Sequence, residues 1–440
     1  MQIDKVTLYD LSIFNHEEAS SVFHHFNYTR TAGGREWLRR IFLSPHTEIS
    51  QIVATQQLLK RIIEKEEEWP AQITNGTVIM IHKFFDTAID DVPKSPNPIQ
   101  TMTYRFLHGP DYSLIKFSIP HFIDFFQGMH QLLGIINGND ELPRTLKSAV
   151  DRANALMERV SIKKIIQKNR KEVLSDRELL QWAHFFYYHY KTHSIELIEI
   201  YARLDAYFSM AVAAKKHSLF FPSFVDQEDP LLKIDGLYHP LLPTPVAYDA
   251  RLDGQHNFLF LTGANMAGKS TFIKSVGIAV FLAHIGMGVP ARFMQLSLFS
   301  GLLSNIQVMD NIMKGESYFF NEVQRIKNTI LTINDSRKWL ILIDELFKGT
   351  NVQDAMKCSL TVIQGLIRIR HSLFILSTHL YEIGEELKVN PNIIFRYFET
   401  RVADDQLVFS YQLKEGISND RLGYLILKRE KVVDLLNQLQ

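Results

Sequence analysis

Cysteine is nearly missing from this chain. Cys358 stands alone among 440 residues, so no disulfide can form within it, and a reducing compartment suits it. Net charge is missing as well, because 48 Lys and Arg balance 48 Asp and Glu. A dedicated nucleic-acid binder is usually basic overall, so any DNA contact has to come from local patches. The longest apolar run, 276–289, is interrupted by His284 and is too short to span a bilayer. The first ten residues lack the basic-then-apolar order of a signal peptide. No repeat of fixed period and no low-complexity segment is visible. These absences leave a globular protein, expected to be soluble and cytoplasmic with no membrane segment. At this length, and with 46% apolar residues, two or three domains with sizeable cores are expected.

The first half reads as helical. Residues 1–70 place apolar side chains at helical spacing, with Thr31-Ala-Gly-Gly-Arg35 as a turn between two helices and Ser44-Pro45 as a stop. Residues 71–143, aromatic-rich and interrupted by prolines 93, 96, 98, 110 and 120, read as helices with long connections. Two amphipathic stretches follow, 142–171 and 176–216. The second would reach about 60 Å at 1.5 Å per residue, so an antiparallel pair of arms joined near 169–175 is expected. That junction carries Lys163, Lys164, Lys168, Arg170 and Lys171. The cluster suits an arm tip resting on a nucleic-acid backbone. It also suits a solvated helix end whose cations complement the C-terminal dipole. His184-Phe-Phe-Tyr-Tyr-His-Tyr190 could stack on bases, but its helical spacing favours packing between the arms. The histidines show no metal-ligand spacing with carboxylates or cysteines, so no metal beyond Mg²⁺ is expected.

From Pro222 onward the composition turns to prolines and short apolar strands. Phe258-Leu-Phe-Leu261 reads as a buried strand, and the residues after Lys269 read as a helix. Between them stands G-x-x-x-x-G-K-S, the pattern of a phosphate-binding loop. Gly263 and Gly268 let the backbone turn its N–H groups inward. Lys269 can reach the β- and γ-phosphates, and Ser270 carries the hydroxyl that Mg²⁺ needs. Two further apolar strands end in Asp344-Glu345 and in Ser377-Thr-His379. Asp344 is placed to hold Mg²⁺, Glu345 to orient an attacking water, and His379 to contact the γ-phosphate or that water. Apolar strands alternating with helices indicate a mostly parallel sheet with its chemistry at the strands' C-terminal ends. Residues 393–398 and 406–413 read as a flanking hairpin.

These residues resemble the MutS family of mismatch-repair ATPases. Thr262-Gly-Ala-Asn-Met-Ala-Gly-Lys-Ser-Thr271-Phe and Gly286-Met-Gly-Val-Pro-Ala291 lie close to the family's wording. Asp344-Glu-Leu-Phe-Lys-Gly-Thr350 resembles its Asp-Glu-x-x-x-Gly-Thr segment, and Tyr238-His239-Pro240 its Arg-His-Pro entry. Upstream, Arg30 to Pro45 and Tyr201 to Phe224 look like its helical core and returning lever. The resemblance implies an all-α core and lever over 1–221, an α/β P-loop ATPase domain of ABC type over 222–415, and a small helical dimerisation segment over 416–440. It implies ATP and Mg²⁺ as cofactors, with Gly263, Ala264, Asn265, Met266, Ala267, Gly268, Lys269, Ser270, Thr271 and His239 around the nucleotide. It also implies a homodimer in which Gly315 and Ser317 act on the partner's γ-phosphate. Glu316 departs from the Arg of mismatch-reading members. The mismatch-reading and connector domains are expected to be absent, since the helical core begins near Met1.

The leading expectation is therefore a dimeric MutS-like ATPase that engages branched or otherwise non-B DNA rather than reading mismatches. The alternative is an ATP-gated scaffold whose arms grip a protein partner, for instance one of a repair pathway. A metabolite kinase is disfavoured by Glu345 and the signature-like Ser317.

Overall fold

A computed structural model describes residues 1–138, 141–168, 173–306, 318–403 and 406–418. They form two compact units, one of 26–43 and 50–216, the other of 1–25, 44–49 and the described residues from His217 onward. A single cut at 221 is thereby corrected, because the chain's opening residues group with its second half. The reason is a strand the helical reading of 1–70 missed. β1 (Gln2–Ile3) pairs in parallel with Gly301–Leu302, and Leu11 fills the space over Gly277, where a Cβ would come within 2.6 Å of it.

Among its described residues the helical unit contains no strand. Helices run over Ala32–Leu43, Ile49–Glu64, Asn75–Asp86, Pro98–Leu107, Gly109–Ile136, Arg144–Met157 and Val160–Ile166. Gly33 and Gly34 lie inside the first turn of Ala32–Leu43, not in a turn between helices. The buried Asp205 explains Gly34: its carboxylate accepts the amides of Arg30 and Thr31 at 3.0 and 2.9 Å and the Thr31 hydroxyl at 2.7 Å. A Cβ on Gly34 would stand 2.1 Å from that carboxylate. The stretch 142–171 is broken rather than continuous, since Arg159 is extended at φ −61°, ψ 136° and starts a new helix. The stretch 176–216 is helical throughout, with a π-helical turn at Phe185–Tyr190 between Asp176–His184 and Lys191–Lys216. Phe186 and Tyr190 of that turn are core, Phe186 stacking on Phe122 at 4.1 Å and the Tyr190 hydroxyl donating to the Leu156 carbonyl at 2.7 Å, whereas Tyr188 is exposed.

The second unit is built on two sheets. β2 (Ser223–Val225), β3 (Leu231–Leu237), β4 (Tyr248–Asp253) and β6 (Phe293–Ser297) form a four-stranded sheet in the order β2-β6-β3-β4. The other sheet contains β1, β5 (Phe258–Thr262), β7 (Gly301–Asn305), β8 (Trp339–Asp344), β9 (Leu373–Ser377), β10 (Ile393–Ala403) and β11 (Gln406–Glu415). Its order is β1-β7-β8-β9-β5-β10-β11, parallel except for the β10–β11 hairpin. Every residue of β5, β8 and β9 is buried, as expected of strands covered on both faces. Helix Lys269–His284 is buried along almost its whole length. No helix among the described residues is long and apolar enough to cross a membrane.

Candidate functional site

The site grows from the register of three parallel strands. β9 lies between β5 and β8, so that Ser377 pairs with Leu261 on one side and with Asp344 on the other. The phosphate-loop sequence leaves the end of β5, one residue beyond Leu261. It turns at Gly263 (φ +138°), Met266 (φ +69°) and Gly268 (φ +110°) before helix Lys269–His284 begins. Gly263 is required twice, by its dihedral and by the backbone of Phe398, whose carbonyl would lie 3.1 Å from a Cβ. The Lys269 ammonium is buried and donates to the Gly263 and Ala264 carbonyls at 2.7 and 3.1 Å. Burial lowers its pKa, against the pull of the nearby Glu345 and Asp344 carboxylates.

A cleft of about 540 Å³ opens over the loop, lined by Ala264, Asn265, Met266, Gly268, Lys269, Ser270 and Thr271. Its other walls are Leu242, Pro243, Thr244, Val246, Tyr248, Tyr411 and Glu345. One side is thus a ring of backbone amides with a cation, and the other an apolar and aromatic wall. Tyr248 is held from behind by Phe272 and Phe398, with ring centroids 5.7 and 5.5 Å away.

At the strand ends, the Ser377 hydroxyl donates to Asp344 Oδ1 and fixes the carboxylate's orientation. Glu345 takes φ +66°, and its amide donates to the Ser377 carbonyl at 2.9 Å. Its carboxylate meets His379 Nδ1 at 3.1 Å and Lys348 Nζ at 3.2 Å. Burial alone would raise the Glu345 pKa. The His379 hydrogen bond and the positive charges of Lys348 and His379 outweigh it and bring the value down to about 2. The carboxylate therefore stays ionised and accepts hydrogen bonds across the neutral range.

The loop's chemistry fits a nucleoside triphosphate with its divalent cation. Two glycines at positive φ expose the backbone, and the buried ammonium is held by neutral carbonyls that a phosphate outcompetes. Ser270 and Asp344 supply hard oxygen donors for Mg²⁺.

Residues 259–434 match the family model described as MutS domain V. Over 233 residues the chain is 30% identical to the DNA mismatch repair protein MutS of Pseudothermotoga lettingae, covering 52% of this chain and 28% of that protein. It is 32% identical over 189 residues to the DNA mismatch repair protein MSH3 of Vanderwaltozyma polyspora, covering 41% and 18%. The MutS protein of Staphylococcus haemolyticus is 27% identical over 263 residues, covering 57% and 29%. Over residues 259–434 the chain is thus similar to MutS domain V. Each match spans less than a third of the relative's own length.

Within this MutS-like chain, the other sequence-derived residues fare unevenly. His239 does not line the cleft; its Nδ1 accepts the Leu241 amide at 3.3 Å, and the loop following it supplies Leu242 to Val246 instead. Burial, with the Lys274 charge, lowers the His239 pKa to about 4, so it is neutral. Gly315 and Ser317, with Glu316, lie outside the described residues, as do Arg170 and Lys171. Of the remaining cluster, Lys163 is bonded to Glu158 and Lys168 to Glu178, while Lys164 is exposed. Two of the three described lysines thus already face carboxylates. The sequence shows no metal-ligand spacing of histidines with carboxylates, but among the described residues the fold brings one such group together. Ligand atoms of Asp90, His108 and Asp111 lie within 4.8 Å of one another, where His108 Nδ1 pairs with Asp90 at 2.6 Å.

The sequence reading did not single out Ser377, Lys348 and Tyr248 as site residues. Ser377 carried a signal, as the residue closing an apolar strand beside the Thr-His pair. Lys348 and Tyr248 carried none, because their positions come from a tight turn and from the second sheet.

Proposed function

We propose that this MutS-like chain is a Mg²⁺-dependent ATPase that works as a homodimer and couples nucleotide binding and hydrolysis to DNA engagement in the cytoplasm. The observation that carries the reading is the shared cleft: Lys269 and Ser270 line the same space as Glu345. Bound ATP supplies the phosphoanhydride whose terminal bond water breaks. Loop amides and Lys269 bind the β- and γ-phosphates, and Ser270 with Asp344 holds the cation. Ser377 keeps Asp344 aligned. Glu345, ionised and strongly hydrogen-bonded, orients the attacking water by accepting its proton's hydrogen bond; a carboxylate held at about 2 is a poor proton sink near neutrality. The apolar wall of Val246, Tyr248 and Tyr411 offers the base a surface to lie on. Gly315 and Ser317 would complete a partner's site, with residues 416–440 holding the two copies together.

The DNA substrate would be branched or otherwise non-B. A second reading has specific support: the arms bind a protein. Lys163 and Lys168 are engaged by acids, and Ile99, Met102 and Phe106 expose 76, 76 and 85% of their surface on one short helix. Large exposed apolar side chains in such a row suit a protein partner.

Steady-state ATP hydrolysis without DNA, with duplex, with a single mismatch and with a four-way junction, at two salt concentrations, tests both. Turnover stimulated by the junction above duplex, and persisting at higher salt, supports the DNA reading. Turnover indifferent to every DNA overturns it in favour of the protein scaffold, and no turnover at all overturns the ATPase.

A further inference from the structure

The turn that presents Glu345 is an improbable one for its sequence. Glu345 and Phe347 both sit at positive φ, +66° and +58°, a region that bulky L side chains rarely enter. Such a turn persists only where its surroundings over-determine it.

Glu322 supplies part of that determination. It lies on helix Tyr318–Ile333 and is 5% exposed. Its Oε1 accepts the Lys348 amide at 3.0 Å and its Oε2 the Gly349 amide at 3.1 Å. One carboxylate therefore caps two successive N–H groups of the turn, and the ammonium of the same Lys348 reaches Glu345. Gly349 permits the approach: a Cβ there would stand 2.7 Å from the backbone nitrogen of Phe319. One turn further along, the helix is anchored. Arg325 donates to Asp10 at 2.8 Å, to the Ser304 carbonyl at 2.5 Å and to Asn305 at 2.5 Å. Asp10, 2% exposed, also accepts the Ser304 hydroxyl at 2.6 Å and the Ile306 amide at 3.0 Å. Glu322, Arg325, Asp344 and Glu345 share the lining of one cavity of about 10 Å³.

We infer that Glu322 is a positioning residue for Glu345, fixing the turn so that Lys348 and Glu345 meet, and that the Asp10–Arg325 ion pair fixes the helix that carries it. The inference rests on the proposed role of Glu345 in hydrolysis. Glu322 touches no reacting atom; it acts through the turn.

The test compares kcat and ATP affinity in the full chain. Glu322→Ala removes both acceptors, and kcat should fall by up to about 100-fold while ATP affinity stays within about twofold, the signature of a lost transition-state interaction. Glu322→Gln keeps one carbonyl acceptor and should recover part of the rate. Asp10→Asn keeps an acceptor and loses the charge toward Arg325, with a smaller fall and the same split. Wild-type kcat in Glu322→Ala would overturn the inference. So would a parallel loss of affinity and rate, which marks a merely structural residue. If Glu322→Ala does not fold, Glu322→Gln and Asp10→Asn read the same split. Glu345→Gln separates the levels: undiminished turnover there removes the proposed function, whereas slow turnover there beside a normal Glu322→Ala removes this inference alone.

Discussion

The strand-end cleft and the basic stretch 163–171 are both charged clusters in the sequence, yet the fold treats them differently. At the strand ends, Lys269, Asp344 and Glu345 are brought together by the register of parallel strands, in which Ser377 pairs with both neighbouring strands. In the arm, Lys163 and Lys168 meet Glu158 and Glu178. The first arrangement concentrates opposite charges around a cavity, and the second cancels them at the surface. A run of like charges in a sequence therefore says little until its folded neighbours are known, whereas acids and a lysine at the ends of apolar strands already say where they will meet.

The sharpest way to break this comparison is Glu345→Gln. Turnover should fall by about 100-fold or more with ATP still bound, as measured by single-turnover hydrolysis beside nucleotide titration; wild-type turnover would reduce Glu345 to a surface acid. Next comes Lys269→Ala. Losing a charge-assisted bond of about 3 kcal/mol should weaken ATP binding by about 100-fold, read by calorimetry. Unchanged affinity would remove the phosphate-loop assignment.

A third prediction concerns acid stability. The Glu345 pKa is depressed to about 2 from 4.5, so its ionised form stabilises the fold at pH above 4.5. That contribution drains away as pH falls toward 2. Urea unfolding at pH 5 and pH 3 should show a smaller loss for Glu345→Gln than for the native chain; equal losses would contradict the ion-pair geometry. The smallest effect is expected at the arm. Lys168→Ala should leave the salt dependence of any DNA binding unaltered, since its ammonium is occupied by Glu178. A phosphate contact there would instead lower the slope of log K against log salt by about one.

The same contrast explains what could be read in advance. Phe258–Thr262, Trp339–Asp344 and Leu373–Ser377 announce themselves as unbroken apolar runs, and their terminal residues carry the chemistry. Helical character over 26–216 is legible from periodicity, but breaks within it are not: Arg159 has no glycine or proline to mark it. Thr31-Ala-Gly-Gly-Arg35 reads as a turn because its glycines answer to Ala202 and Asp205, far along the chain. Gln2–Ile3 is too short to signal a strand, and only its partner on β7 makes it one. Glu322 is similarly silent, an acid among others on an amphipathic helix until Lys348 and Gly349 come to it.

The pairing of Gln2–Ile3 with Gly301–Leu302 has a consequence for how the chain is made. Residues 26–43 and 50–216 form their own compact unit, so during synthesis the helices can assemble as soon as they leave the ribosome. The opening segment cannot. Its partner strand lies about 300 residues further on and is translated only after the whole helical unit, a delay of roughly fifteen to sixty seconds at ~5–20 residues per second. Throughout that interval Leu8, Leu11 and Ile13, all buried in the finished fold, wait without their cover. Nascent-chain stalling after residue 216 should leave this segment open to protease and to holdase chaperones, while release past β7 should close it.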